Sequence, residues 1–371
     1  MINVNRESLI SLFSDLAKID AVSFKERPIA DYIKKRLSSS GYTVREDKAG
    51  FKIKGNSGNL ICIPRKVNRN AQKIGLFSHM DTITSTKGLK LVIDSERIQS
   101  DGTTIAGIDN RAGVAILIYL LEEITRNNFP YKDFAVIFTV AEEPGMYGAE
   151  NLDFEKFGLK MGVVFDCSKR PGYFISSCAG SCEFKAKFIG KSAHSGVAPE
   201  KGINAIVMAG KAISAVKFGR VNKTTTCNVG KIQGGIETNV VPEQVVVEGE
   251  VRAKSMKEVN DRLKTIRKAF KMTAERMAGK MEFETSLSFA PFNIAERSAV
   301  YQLVTKAIKK VKIQPKPVFY TGGSDANPLN QRGLPTINIG IGAQIPHSHN
   351  ESILIEDFIK SVQIAFELIK E

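Results

Sequence analysis

Apolar strands that alternate with helices are the feature of this sequence that most limits its possible folds. A strand buried on both faces reads as a continuous apolar run, and such strands belong to parallel sheets covered by helices. In the first half of the chain the strand runs are "NLICIP", "KIGLFSH", "FAVIFTV" and "MGVVFDC". The segments with helical spacing are "RESLISLFSDLAKI", "ERPIADYIKKRLSSSG" and "AGVAILIYLLEEITRN". The pattern predicts an α/β fold with a mainly parallel sheet and helices on both faces.

The pattern changes near Cys178, where the predicted order becomes β-α-β-β-α-β, the ferredoxin-like arrangement. After about residue 290 helix and strand alternate again, and the chain closes with the helix "IEDFIKSVQIAFELIKE". A chain of 371 residues also exceeds the usual size of a single core. We therefore predict two domains: residues 1–178 with 291–371 form the α/β domain, and residues 179–290 form an inserted, smaller α+β domain.

Composition limits the class of protein. Apolar residues make up 43% of the chain and charged residues 25%, which is ordinary for a globular protein. The longest apolar stretch, 112–121, is too short to cross a membrane, and the first residues lack the pattern of a signal peptide. The five cysteines are scattered, which favours free thiols in a reducing compartment. We predict a cytoplasmic protein without a membrane partner.

The net charge of +14 raises the question of nucleic-acid binding. The basic residues, however, lie along amphipathic helices such as "KEVNDRLKTIRKAFKMTAERMAGK", with acids between them and no aromatic stacking platform. This distribution is typical of solvated helix faces, so we predict no nucleic-acid partner.

Acids and histidines follow several of the predicted strands. Ligands of open α/β sheets bind beyond the carboxyl ends of the strands, so these residues are candidates for one site. A single such residue is usually a cap or a loop residue, but five successive strand ends carry one. The candidates are His79 and Asp81, Asp109, Glu142 and Glu143, Asp166, and His347 with His349.

So many carboxylates in one place repel each other unless protons or cations neutralise them. Imidazole and carboxylate ligands suit Zn²⁺, with Co²⁺ or Mn²⁺ as substitutes. Two histidines and three carboxylates suit two ions with a bridging carboxylate and a hydroxide between them. On extended backbone Glu142 and Glu143 point to opposite sides, so Glu143 can face a metal while Glu142 acts as general base. Asp81, two residues beyond His79, is well placed to orient the imidazole of His79, and the alternative is a turn residue.

The motifs "SHMDTI", "AGIDNRAGVA", "AEEPGMYGAE", "FDCS" and "PHSHNE", in this order, resemble the co-catalytic zinc exopeptidase family that includes peptidase T, carboxypeptidase G and aminoacylase. "GKSAHSGVAPEKGINAI" and "GGIETNVVPE" are similar to motifs of that family's dimerisation domain. The resemblance covers essentially the whole chain. It implies that residues 179–290 form a lid and dimerisation domain, that the other domain holds two Zn²⁺ ions per subunit, and that the protein forms a homodimer.

Carried over residue by residue, the resemblance implies a metal site, a catalytic set and a substrate-binding set. The implied metal ligands are His79, Asp109 as the bridge, Glu143, Asp166 and His347. The implied catalytic residues are Glu142 as general acid/base, Asp81 behind His79, and His194 as a donor to the scissile carbonyl. The implied substrate contacts are Asn239, Arg252 and Gly323. His349 departs from the family pattern, which has a histidine four residues before a glutamate and so selects His347 and Glu351.

Within the family, "AGIDNRAGVA" and "AEEPGMYGAE" look like the tripeptidase branch. We therefore predict a dizinc aminopeptidase that acts on short peptides. The alternatives are an N-acyl amino-acid deacylase or a carboxypeptidase of the same family, and a non-catalytic peptide- or metal-binding protein on the same scaffold. The complete set of ligands and base argues against the non-catalytic alternative.

Overall fold

A computed structural model gives the structure of residues 2–64 and 73–370. Its α-helices are α1 Arg6–Ala17, α2 Arg27–Ser39, α3 Ala49–Ile53, α4 Ile108–Asn127, α5 Tyr147–Asn151, α6 Ala205–Ser214, α7 Met256–Arg276, α8 Ala299–Lys310, α9 Ala326–Gln331 and α10 Ile355–Ile369. Its strands are β1 Val44–Glu46, β2 Leu60–Cys62, β3 Lys73–His79, β4 Leu91–Ile93, β5 Arg97–Ser100, β6 Phe134–Thr139, β7 Leu159–Cys167, β8 Tyr173–Cys178, β9 Gly180–Ile189, β10 Gly219–Arg220, β11 Thr226–Gly234, β12 Gln244–Ala253, β13 Lys280–Phe289, β14 Phe292–Asn293, β15 Lys316–Tyr320, β16 Thr336–Gly340, β17 Ala343–Gln344 and β18 Ser352–Leu354.

The chain divides into two compact units. Unit 1 comprises residues 1–177, 293–319 and 324–371, and unit 2 comprises residues 178–292 and 320–323. The predicted boundaries at 178/179 and 290/291 lie in the same parts of the chain as the boundaries of unit 2 at 178 and 292. The sequence pattern did not indicate that residues 320–323 belong to unit 2.

Unit 1 is built on a sheet with the strand order β1-β2-β6-β3-β7-β16-β8-β14, to which β15 adds beside β8. The central neighbours β6/β3, β3/β7 and β7/β16 run parallel, whereas β1/β2, β2/β6 and β16/β8 run antiparallel. The central strands β6 and β3 are buried along nearly their whole length, which explains their uninterrupted apolar sequences. Because β6, β3 and β7 are parallel neighbours, their carboxyl ends meet at one edge of the sheet.

Helix α4 is the most buried helix of unit 1, and all its residues from Val114 to Leu121 are apolar and buried. It packs among α1, α10 and the strand β3. Its first residues are irregular, because Asp109 and Asn110 have non-helical backbone angles. The regular helix therefore begins after Asn110, which leaves the carboxylate of Asp109 free to point away from the helix.

Unit 2 has one antiparallel sheet with the order β10-β11-β12-β9-β13. Helices α6 and α7 pack on this sheet around a core that includes Phe184, Phe188, Val247, Ile266 and Phe270. Without the two-residue strand β10, the chain order β9-α6-β11-β12-α7-β13 is the ferredoxin-like arrangement.

The predicted fold class is confirmed. Helices pack on a mainly parallel sheet in unit 1, and unit 2 is a separate α+β unit. The sequence did not predict β8, nor the second sheet of unit 1, which has the order β17-β18-β5-β4. The last residue of the predicted C-terminal helix, Glu371, lies outside the described residues. All five cysteines are buried thiols that form no disulfide. Among the described residues, none of the helices has the length and apolar character needed to cross a membrane.

Candidate metal centre and active site

The carboxyl ends of the parallel strands bring the predicted acids and histidines of unit 1 together. His79 is the last residue of β3, and Asp166 is next to the last residue of β7. Asp109 lies at the start of α4, whereas Glu143 and His347 lie in loops. A set that spans residues 79–347 of the chain thus converges on one edge of one sheet.

His79 contacts two carboxylates through a single ring nitrogen. Its Nε2 lies 3.0 Å from Asp109 Oδ1 and 3.3 Å from Asp166 Oδ1. Its Nδ1 lies 3.1 Å from the backbone oxygen of Asp81 and 3.4 Å from Asp81 Oδ1. In the neutral ring a proton on Nδ1 is donated to Asp81, which leaves the Nε2 lone pair directed at the carboxylates.

His347 contacts the same cluster from the other side. Its Nε2 lies 3.4 Å from Asp109 Oδ2 and 3.0 Å from Glu143 Oε2. Asp109 therefore directs one oxygen to each histidine. Those two hydrogen bonds lower the pKa of Asp109, although burial acts in the opposite direction. The contacts of His347 with Asp109 and Glu143 raise the pKa of His347 to about 10.

The donor set fits a divalent cation. Single donor atoms of His79, Asp109 and Glu143 lie within 4.8 Å of one another. Glu143 Oε1 is buried and has no hydrogen-bond partner among the described residues, so one strong acceptor is left unsatisfied. Burial, with a contribution from Asp109, raises the pKa of both Glu143 and Asp166. A bound cation would satisfy the free oxygen and keep these carboxylates ionised.

Glu142 lies beside this cluster, close enough to His79, Asp166 and Glu143 for their charges to act on it. Burial raises its pKa well above the ordinary value, and the nearby carboxylates of Asp166, Asp325 and Glu143 add to the rise while His79 opposes it. A carboxylate in such a place binds a proton more readily than a surface glutamate. That property suits a group that takes up and releases a proton during a reaction.

Glu142 and Glu143 lie beyond the end of a strand and not within one. Strand β6 ends at Thr139, and Ala141 has a positive φ of 48°. The carbonyl of Glu142 then accepts the N–H groups of Gly145 and Met146, which closes a turn. The doublet therefore lies in this turn, and the alternation of side chains along a strand does not separate the two carboxylates.

Asp81 is fully buried, and it contacts both the imidazole of His79 and the backbone of Glu142 and Glu143. Besides facing His79, its Oδ1 accepts the N–H of Glu142 at 3.1 Å and its Oδ2 accepts the N–H of Glu143 at 3.2 Å. Its Oδ2 also accepts the hydroxyl of Ser23 at 2.7 Å. Asp81 is thus more than a turn residue, since it joins the imidazole of His79 to the backbone of the acidic doublet.

Comparison with known proteins gives two family matches. Residues 178–278 match the peptidase dimerisation domain of the M20 family, and residues 88–172 match the M42 glutamyl aminopeptidase family. A solved structure of aminopeptidase PepT from Bacillus cereus is 32% identical, with a TM-score of 0.91 and coverage of 99% of this chain and 98% of that one. The chain belongs to the M20 peptidase family.

Within the M20 family the chain lies in the peptidase T-like branch, and it is a peptidase. A tripeptidase structure from Staphylococcus aureus is 31% identical, with a TM-score of 0.94 and coverage of 99% and 98%. Peptidase T of Clostridium perfringens is 26% identical over 398 residues, covering 96% of this chain and 91% of that protein. The YXEP protein of Bacillus subtilis, described as a dinuclear metal binding peptidase of the M20 family, shares the fold at 18% identity, a TM-score of 0.74 and coverage of 98% and 97%.

The two C-terminal histidines of this M20 peptidase have different surroundings. His347 reaches Asp109 and Glu143, although 45% of its side chain is exposed. His349 is exposed, and its Nδ1 lies 3.2 Å from the backbone oxygen of Gly102. Glu351 is buried, and its Oε1 accepts the N–H of Ile108 at 3.1 Å at the start of α4. The structure therefore brings His347, and not His349, into the cluster.

His194 lies in unit 2 and is exposed. Its Nδ1 lies 3.2 Å from the backbone nitrogens of both Gly196 and Val197, so the ring accepts from these N–H groups. In the neutral ring the proton is then on Nε2, which is available as a donor. Asn239 is also exposed, and its backbone oxygen accepts the N–H of Ser195 beside His194.

Arg252 and Gly323 contact the same aromatic ring in unit 2. The guanidinium of Arg252 lies 5.6 Å from the ring centre of Phe289, and Gly323 packs so closely on this ring that an added Cβ would lie 2.8 Å from it. Both carboxylate oxygens of Glu250 bind Arg252, each at 3.0 Å, and the backbone oxygen of Thr321 binds it at 2.9 Å. The guanidinium of Arg252, an implied substrate contact, is therefore paired with Glu250 in this structure.

Two further buried polar residues, Asp325 and Asn338, lie around the cluster and are not among the predicted metal ligands or catalytic residues. Asp325 accepts the hydroxyl of Thr139 at 2.5 Å through Oδ2, and its Oδ1 has no partner among the described residues. Burial raises the pKa of Asp325 to about 7. Asn338 lies on β16 and its Nδ2 is 3.4 Å from Asp166 Oδ2. Only the position of Asn338 within a predicted strand next to β7 could have indicated such a contact.

Proposed function

We propose that this M20 peptidase is a dizinc metallo-aminopeptidase that removes N-terminal residues from short peptides, as a tripeptidase does. The observation that carries the proposal is the convergence of His79, Asp109 and Glu143 beside the half-buried Glu142. Two proteins that are 32% and 31% identical over nearly the whole chain are described as an aminopeptidase and a tripeptidase.

The proposal assigns the metal ligands to His79, Asp109, Glu143, Asp166 and His347, with Co²⁺ or Mn²⁺ as substitutes for zinc. When bound, the two ions would lower the pKa of a water molecule and polarise the peptide carbonyl. The contact of each Asp109 oxygen with a different histidine supports its assignment as the bridging carboxylate.

Glu142 is proposed to take a proton from the attacking water and to deliver it to the departing amine. Partial burial and the neighbouring carboxylates raise the pKa of Glu142, which supports both halves of this transfer. Asp81 is proposed to orient His79 through Nδ1. The acceptor contacts at His194 Nδ1 support its proposed role as an Nε2–H donor to the developing oxyanion.

Asn239, Arg252 and Gly323 remain proposed substrate contacts. For Arg252 the proposal requires that a substrate carboxylate compete with Glu250 for the guanidinium. Replacing Glu250 by Gln weakens that internal pair, so this substitution offers a direct way to examine the arginine's role in substrate affinity.

Free tripeptides are the substrates expected to give the highest kcat/KM. The test is a screen of di-, tri- and tetrapeptides, their N-blocked forms and N-acyl amino acids against the zinc-loaded enzyme, with identification of the released residue. Release of the N-terminal residue from free tripeptides supports the proposal. Preference for acylated amino acids or blocked peptides, or release of the C-terminal residue, would show a deacylase or carboxypeptidase instead.

The proposal includes a homodimer formed through unit 2, in line with the dimerisation-domain match at residues 178–278. Strand β11 pairs with β10 only at its first two residues, so among the described residues its outer edge is open beyond Cys227. Exposed apolar side chains lie on β11, in the loop that follows it and on α6. They are Ile206, Val207, Ile232 and Ile236, the last being 90% exposed. An open strand edge beside apolar surface is suited to pairing with a second copy.

Substitution Ile232→Lys is expected to convert the dimer to a monomer, because a buried lysine opposes association of two apolar surfaces. Light scattering after size-exclusion chromatography measures the mass. The matched control is Leu287→Lys on β13, the opposite edge strand of the same sheet, since Ile232 is 51% exposed and Leu287 is 50% exposed. A dimer that survives Ile232→Lys but dissociates with Leu287→Lys would place the interface on the opposite edge.

A further inference from the structure

Four consecutive backbone N–H groups, those of residues 140–143, are all bound by buried side-chain oxygens rather than by backbone. They belong to the segment that leaves β6 and carries Glu142. The four bonds run from Val140 to Asn59 Oδ1 at 3.1 Å, from Ala141 to Glu26 Oε1 at 2.9 Å, from Glu142 to Asp81 Oδ1 at 3.1 Å and from Glu143 to Asp81 Oδ2 at 3.2 Å.

The segment needs these acceptors because it has left the sheet. Strand β6 ends at Thr139, so the following N–H groups have no partner on a neighbouring strand. An unsatisfied buried N–H group costs roughly 1–3 kcal/mol. Ala141 also has a positive φ of 48°, a conformation that residues with a Cβ seldom adopt without support. The side-chain acceptors therefore fix a backbone path that the chain would not hold by itself.

Glu26 is the member of this set that holds Ala141, the residue before the proposed base. Its side chain is fully buried, and Oε1 accepts both the N–H of Ala141 and, at 2.8 Å, the N–H of Phe24. One carboxylate oxygen thus joins the loop before α2 to the end of β6. Phe24 also has a positive φ, of 68°, so both residues bound by Oε1 have the same rare conformation.

The buried charge of Glu26 has a cation near it. Arg111 is fully buried, and burial lowers its pKa to about 10 while the charges of Asp81, Asp20 and Glu26 oppose that fall. Its Nη2 donates to the backbone oxygen of Ile19 at 3.2 Å. Arg111 therefore offsets the charge of Asp81 and Glu26, the carboxylates that accept the last three of the four N–H groups.

The remaining acceptor, Asn59, is itself held in place. Its Nδ2 donates to Asp47 Oδ2 at 2.7 Å and to the backbone oxygen of Gly148 at 2.9 Å. Gly148 has no room for a side chain, since a Cβ would lie 2.3 Å from the backbone oxygen of Val140. The segment 140–143 is consequently held by the side chains of Asn59, Glu26 and Asp81, all of which belong to unit 1.

We propose that Glu26 is a positioning residue for the peptidase reaction, because the reach of its Oε1 to the N–H of Ala141 sets the direction in which the side chain of Glu142 leaves the backbone. This inference rests on the proposed function, in which Glu142 transfers the proton. Glu26 does not touch the reacting atoms; it acts through the backbone of Ala141.

Two variants of Glu26 separate reach from charge. Glu26→Asp keeps the charge but withdraws the oxygen by one methylene, and a displacement of about 1 Å at a catalytic group lowers the rate about 100-fold. We expect this fall in kcat with little change in KM and with the metal content preserved. Glu26→Gln keeps an oxygen at the same reach, and its amide nitrogen would replace Oε2, which has no hydrogen-bond partner among the described residues. We expect it to retain most of the kcat and an unchanged pH profile.

The control is Glu123→Gln, which alters another buried glutamate of unit 1 that binds Asn127 near the opposite end of α4. It is expected to leave kcat unchanged, and thermal melting of every variant reports on folding. Wild-type kcat in Glu26→Asp overturns the inference. A folded, metal-loaded Glu26→Gln that is as slow as Glu26→Asp, or slower, overturns it too, because charge would then matter more than reach.

Glu142→Gln belongs in the same series and separates this inference from the function on which it depends. Full activity in Glu142→Gln would refute the proposed proton transfer itself. A slow Glu142→Gln together with a wild-type Glu26→Asp would refute only the positioning role of Glu26.

Discussion

Glu142→Gln is expected to lower kcat by about 10³–10⁴-fold, the upper part of the range for loss of general acid–base catalysis. The substitution keeps the size of the side chain and the N–H that Asp81 binds, so the turn should keep its shape. Glutamine cannot accept a proton from water at neutral pH, and it has none to give to the departing amine. Zinc content and KM are therefore expected to stay close to those of the wild type.

The measurement combines steady-state kinetics on a free tripeptide with metal analysis of the purified variant. Glu150→Gln is the matched control, because Glu150 is an exposed glutamate in the same chain segment, on α5. It should leave kcat and zinc content unchanged. Activity of Glu142→Gln within a few-fold of the wild type, with zinc bound, would show that another group transfers the proton.

The convergence at the sheet edge could be expected from the sequence because parallel strands end side by side. His79 closes β3 and Asp166 lies at the end of β7, and both positions follow directly from apolar runs that only a buried strand explains. The acids then implied a cation, since carboxylates packed together raise one another's pKa, as Asp109 does for Asp166. Periodicity and charge therefore indicated a site at this edge of the sheet, whereas the family resemblance implied the set of ligands.

The surroundings of Glu142 could not be predicted in the same way. Its turn depends on Glu26 and Asn59, which lie 115 and 81 residues from the backbone groups they bind. Nothing in "SFKERPIADY" distinguishes Glu26 from an exposed glutamate before a helix. Contacts between distant loops arise from packing and leave no periodic trace in the sequence.

The pairing of Arg252, in contrast, could have been predicted from the sequence. Glu250 and Arg252 are two residues apart on β12, and side chains at that spacing lie on the same face of a strand. The observed pair, with two contacts of 3.0 Å, was therefore open to prediction. An arginine on a strand can pair with an acid of the same strand or contact a substrate. The two-residue period of the strand was enough to predict the pair with Glu250.

Asp109→Asn is expected to remove the zinc-dependent stability of the protein and its activity together. Among the described residues, Asp109 is the carboxylate that contacts both His79 and His347, one through each oxygen. Asparagine has one oxygen and no charge, so it can neither bridge two cations nor offset their charge. At zinc concentrations about 1,000-fold above Kd, binding to the folded state stabilises the wild type by about 4 kcal/mol, which raises Tm.

The experiment measures Tm by calorimetry after dialysis against a chelator and again after addition of zinc, with tripeptide hydrolysis followed in the same samples. The wild type and the control Asp153→Asn, at an exposed aspartate of unit 1, should show the same rise in Tm. Asp109→Asn should show little rise at the same zinc concentration and no recovery of hydrolysis. A wild-type rise in Tm with Asp109→Asn would mean that the stabilising cation binds elsewhere, and recovered hydrolysis would mean that the reaction does not need a bridging carboxylate.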